Sequence, residues 1–77
     1  MEDNVETQAL DAIEMFTRDY SYDVRFMAAL DIIYDAFLDR DIARMRRIFI
    51  NASPDDMSLP EYFYFHLILN ELEYIYG

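Results

Sequence analysis

The side chain best suited to proton transfer is His66, the single histidine of the chain, since imidazole titrates near neutral pH. Acid–base or nucleophilic catalysis would need it beside a nucleophile or a carboxylate in a concave pocket. Its neighbours on one helical strip are Asn70 and Glu73, at i+4 and i+7. Cysteine is absent and Gly77 is the only glycine, so neither a catalytic triad nor a glycine-rich phosphate cradle can be assembled. The plainer reading of His66 is a histidine at the edge of a core, bonded to a neighbour. No enzyme is expected. A metal site would have to be all-oxygen. Asp39-Arg40-Asp41 resembles the opening of a calcium loop, but the glycine and the closing glutamate are missing at their spacing. Asp55-Asp56 reads as charge at a helix start. No metal and no cofactor is assigned.

Carboxylates offer a different chemistry, that of recognition. Asp31, Asp35 and Asp39 recur at i, i+4 and i+8, which places them in one row about 6 Å apart along a helix. Each like-charge pair at that spacing costs roughly 0.2–0.5 kcal/mol, and no arginine at i±4 relieves Asp31 or Asp35. A local rule broken without visible gain marks a place where function can lie. The row, with Asp23 two turns upstream, suits a basic surface that otherwise holds nucleic-acid phosphates. The plainer reading is a solvated face that keeps a small protein soluble.

The cations are six arginines, with no lysine, against sixteen acids, for a formal charge of −10. Ten acids and two arginines fall in residues 1–39, four arginines and Asp41 in 40–50, and five acids in 51–77. Arg40, Arg44 and Arg47 share a stripe, with Arg46 to one side. A nucleic-acid footprint is basic, so direct binding to nucleic acid or to an anionic membrane is not expected. These arginines are expected to pair with acids of the first two helices or with a second copy of the chain.

Four helices must position these groups, and no linker or repeat interrupts them. Asp3-Asn4-Val5-Glu6 opens the first with a box of D-x-x-E type; Val5, Ala9, Ala12, Ile13, Phe16 and Tyr20 form its apolar face. Glu14 and Arg18 stand in favourable i, i+4 order on the solvent side. Ser21 caps the second helix, with Asp23 in its first turn. Phe26, Met27, Leu30, Ile33, Tyr34, Phe37 and Leu38 make its stripe, and Arg25, Ala28, Ala29, Ile32 and Ala36 its weakly polar back. Asp39-Arg40-Asp41 marks a break, and a third helix runs from Asp41 to about Ile50. Asn51 to Asp56 is a loop in which Ser53-Pro54 starts a single helical turn. Ser58-Leu59-Pro60-Glu61 is a second capping box, opening a helix that is apolar nearly all round from Tyr62 to Tyr76. Such a helix, like the second, is expected to sit between neighbours or to meet another chain.

The fold expected is therefore all-α, a single acidic domain over 1–77, built as a compact bundle of about four short helices that homodimerisation would complete. A core of this size, without disulfides or metal, is seldom stable alone. Ala28, Ile32 and Ala36 on the second helix, and Tyr64, Ile68, Tyr74 and Ile75 on the last, are the candidate partner or dimer contacts; tyrosine and phenylalanine are favoured in such places. The acidic start is unlike a secretory or transit signal, and the longest uncharged stretch, residues 62–70, is far short of the ~20 residues of a membrane helix. A cytoplasmic protein is expected, in the host cytoplasm if phage-encoded. In size, charge and lack of catalytic groups the chain is similar to the small acidic inhibitors that bacteriophages use against host defence, anti-CRISPR proteins among them; no motif carries that similarity. It implies an inhibitor or adaptor docking on a basic partner, in its extreme form a DNA mimic. The alternative is a homo-oligomeric structural or regulatory protein.

Overall fold

Short polar side chains set where each helix begins. The computed structural model describes residues 4–77, so the expected Asp3 cap lies outside the described residues. The described residues form four helices: α1 (Val5–Asp19), α2 (Val24–Leu38), α3 (Ile42–Ala52) and α4 (Leu59–Tyr76). Asn4 caps α1 by accepting the Thr7 N–H at 2.8 Å. Asp23, not Ser21, caps α2 by accepting the Phe26 N–H at 3.0 Å; a carboxylate two residues nearer the apolar run meets the free amides directly. Asp41 does the same for α3 through the Arg44 N–H at 3.2 Å. At α4 the Ser58 hydroxyl donates to the Glu61 carboxylate at 3.0 Å and accepts the Glu61 N–H at 3.4 Å. α3 runs two residues past the expected Ile50. The segment at Pro54 forms a turn, closed by the Met57 N–H on the Pro54 carbonyl, rather than a turn of helix.

The break between α2 and α3 needs neither glycine nor proline. Arg40 takes the left-handed conformation, φ 57°. Its N–H bonds the Phe37 carbonyl at 2.9 Å, and the Asp41 N–H bonds the Ala36 carbonyl at 2.8 Å. This is the Schellman arrangement, with arginine where glycine is usual. Arg40 therefore precedes α3 instead of sharing its stripe with Arg44 and Arg47. Its guanidinium folds back, donating to the Phe37 carbonyl at 2.6 Å and lying 4.5 Å above the Phe37 ring. It also pairs with Glu6 of α1 at 3.3 Å and sits 5.4 Å from the Tyr76 ring of α4.

The helices pack as a ring: α1 on α2, α2 on α3, α3 on α4 and α4 on α1, while α1 and α3, and α2 and α4, face each other across the centre. Each helix contributes one fully buried phenylalanine to the centre: Phe16, Phe26, Phe49 and Phe65. The Phe16 ring lies 5.9 Å from Phe26, 6.1 Å from Phe49 and 5.6 Å from Phe65; Phe49 lies 4.6 Å from Phe65. These separations suit edge and offset aromatic contacts. Ala9, Ile33, Met45, Leu69 and Leu72 fill the layers above and below. The radius of gyration, 11.7 Å, is that of a closely packed chain of this length, about 11.5 Å.

Two expected faces are rotated. In α1 the predicted set is buried in full. In α2, Ala29 and Ala36 are buried while Tyr34 and Leu38 are exposed, and α2 packs more extensively on α3 than on α1. Ala36 is thus a core residue and no partner contact. Ile68 of α4 is likewise buried at 3% exposure, facing inward with Phe65 and Leu72. The Glu14–Arg18 pair is not formed; Arg18 bonds Asp19 at 3.3 Å.

Candidate functional site

α2 turns outward a face on which carboxylates and apolar side chains alternate. Val24, Ala28, Asp31, Ile32, Asp35, Leu38 and Asp39 are all exposed, Val24 at 80% and Ile32 at 37%. Asp31, Asp35 and Asp39 stand one turn apart, a row of about 12 Å. Among the described residues none of the three makes an ion pair. Asp35 and Asp39 also occupy the C-terminal end of α2, where the last turn holds no basic residue. A carboxylate there opposes the negative end of the helix dipole, so the row breaks two local rules at once. Asp23 is not part of it, since its carboxylate is spent on the α2 cap.

The outward face of α4 is of another kind. Leu59, Phe63, Tyr64, Leu67, Tyr74 and Ile75 are exposed, Tyr74 at 92% and Leu67 at 66%. Of the residues singled out on the last helix, Tyr64, Tyr74 and Ile75 lie on this face with Phe63 and Leu67. The two were missed because a helix apolar on every side gives no phase in the sequence.

Between α3 and α4 runs a groove of about 400 Å³ lined by Ala43, Arg46, Arg47, Ile50, Asn51 and Glu73. Arg46 crosses it to Glu73 at 2.9 Å, so this arginine pairs with α4 rather than with α1 or α2. Arg25 of α2 reaches the Asn51 carbonyl at 2.6 Å. Arg44 and Arg47 are exposed and make no ion pair among the described residues.

His66 is half-buried on the α3-facing side of α4, on the same strip as Glu73. Its ring meets Tyr62 edge-on at 4.5 Å and Phe49 at 5.5 Å. Burial, with the Arg46 charge adding to it, holds the imidazole below its ordinary 6.5, which keeps it neutral among the rings. Among the described residues, no group of three or more His, Asp and Glu converges as a metal-holding cluster, and no helix is long and apolar enough to cross a membrane.

Two tyrosines tie the α1–α2 turn to the other end of the chain. The buried Tyr20 hydroxyl donates to Glu61 at 2.5 Å, and the exposed Tyr22 hydroxyl donates to Asp56. Burial and the Glu61 bond push Tyr20 from 10.0 up to about 12; for Tyr22 the Asp56 bond leads, again to about 12. Folded values above the unfolded value mean that the folded chain holds these protons more tightly. The stability they contribute is complete below pH 10 and is lost as pH rises from 10 to about 12. Urea titrations across that window should show a steeper fall for the native chain than for a Tyr20→Phe/Tyr22→Phe variant. Equal slopes would show that these hydroxyls hold nothing together.

No family model, no curated protein and no solved structure matches the chain.

Proposed function

We propose that this protein is a non-catalytic docking module that presents the outward face of α2 to a basic surface of another protein, of the kind that otherwise holds nucleic-acid phosphates. The observation that carries the reading is the row Asp31, Asp35 and Asp39, exposed and unpaired among the described residues, with its last two members set against the α2 dipole. Three carboxylates kept where each costs folding stability are what an electrostatic epitope requires. Val24, Ala28, Ile32 and Leu38 between them supply the apolar centre that gives an interface its desolvated contact, the acids forming the steering element. In its strongest form this is an inhibitor that occupies a nucleic-acid channel in place of the phosphates, acting in the cytoplasm.

The test uses two immobilised baits, the native chain and the Asp31→Asn/Asp35→Asn/Asp39→Asn variant, exposed to the same lysate and eluted with a salt gradient. The native bait should retain a basic protein that duplex DNA displaces. The triple variant should bind that protein at least tenfold more weakly at low salt, a difference that shrinks as salt screens the row. A partner held equally by both baits would remove the acid row as the epitope.

A further inference from the structure

We infer that the outward face of α4 is closed by a second copy of this chain, in an antiparallel α4–α4 pair about a twofold axis. This does not rest on the docking role of α2, whose face points away from α4 across the ring.

The stripe has the spacing of a helix–helix seam. Phe63, Leu67, Asn70 and Tyr74 follow one another at intervals of four, three and four, as a and d positions do. Phe65, Ile68, Leu69 and Leu72 of the same helix are turned into the chain's own core. α4 therefore carries two faces, and the four-helix ring occupies only one. With about 200 Å² for a large apolar side chain, Leu59, Phe63, Tyr64, Leu67, Tyr74 and Ile75 together leave on the order of 750 Å² exposed. A standard interface takes roughly 800 Å² from each partner.

Charge selects the occupant. On a chain of formal charge −10, the stripe is flanked by two carboxylates, Glu71 on one side and Glu73 on the other, and Glu73 is already paired with Arg46. A basic partner would find little to pair with there. The stripe is instead complementary to itself. An antiparallel pair sets a against d, so Phe63 meets Tyr74 of the second copy and Leu67 meets its Asn70. The same register brings the Tyr64 hydroxyl, seven residues before Glu71 on the same flank, to the Glu71 carboxylate of the second copy. The unpaired carboxylate beside the seam thereby gains a donor.

Sedimentation equilibrium of the purified chain tests this. The native chain should have twice its 9.3 kDa mass at about 100 µM, with a micromolar dissociation constant. That constant should tighten as salt rises, because two acidic bodies repel each other less when screened; docking on a basic partner would weaken instead. Leu67→Glu, at a site already two-thirds exposed, should keep the native circular dichroism and raise the dissociation constant at least a hundredfold, and Leu67→Ala at least tenfold. Because the chain has no cysteine, Phe63→Cys/Tyr74→Cys should oxidise to a covalent dimer. Phe63→Cys alone should not, its two copies lying about 16 Å apart, beyond disulfide reach. A native chain that is monomeric at about 100 µM, a dimer indifferent to Leu67→Glu, or cross-linking by Phe63→Cys alone would each overturn the proposal.

Discussion

Phe16→Ala should cost about 3–5 kcal/mol, the range for emptying a buried phenylalanine site, and leave a large fraction of the chain unfolded. The magnitude follows from where the ring sits. Phe16 is wholly buried and touches the phenylalanine of every other helix, at 5.6 to 6.1 Å. Its neighbours belong to three different elements, so no single helix can shift to refill the space without leaving another. A domain of this length holds about 4–12 kcal/mol in total, and the substitution consumes much of it. Urea unfolding followed by circular dichroism gives the loss. Val24→Ala is the control, because that side chain is 80% exposed at the start of α2, away from the outward face of α4, and its removal should change the stability by less than about 0.5 kcal/mol. A loss below about 1 kcal/mol for Phe16→Ala would mean that the four rings are not the centre of the core.

The second large effect is at Arg40, and its size depends on the replacement. Arg40→Ala keeps the left-handed backbone and deletes the guanidinium, with its bond to the Phe37 carbonyl, its stacking on Phe37 and its ion pair with Glu6. About 1 kcal/mol for the half-exposed carbonyl bond, with 0.5–1 for the ring contact and less for the partly screened ion pair, makes a loss of about 2 kcal/mol. Arg40→Gly deletes the same contacts but removes a left-handed penalty of roughly 1 kcal/mol, so it should cost about half as much. Denaturant midpoints for the two variants decide the matter. Glycine worse than alanine would show that φ 57° at this position carries no strain.

α1 and the cap of α4 are legible in the sequence because their signals are one-sided. α1 keeps its predicted apolar set on one side, and Ser58 is a short acceptor placed directly before an apolar run; Asp41, read only as the start of α3, is its cap. α2 and α4 lack that contrast. Both are apolar on more than one face, so periodicity finds the helix without fixing its rotation, and this is how Ala36 and Ile68 came to be read as surface. What settles the rotation of α2 is tertiary: it packs chiefly on α3, and which side that neighbour takes is recorded in no pattern of hydropathy. The left-handed Arg40 carries no sequence signal, since arginine seldom serves there; the three contacts that hold it come from α1, α2 and α4. The acid row was readable from spacing alone. Its position against the α2 dipole needed the true helix end, at Leu38.

The clasp of Glu6, Arg40 and Tyr76 makes the fold a closed hoop rather than a stack. α1 meets α4 beside it, so the earliest and latest described helices are neighbours, and the ring of contacts shuts at that seam. Any cut between α1 and α4 divides the four phenylalanines between two pieces, and neither piece keeps all of them. The chain has no sub-core on which to fall back, and its order is all or none.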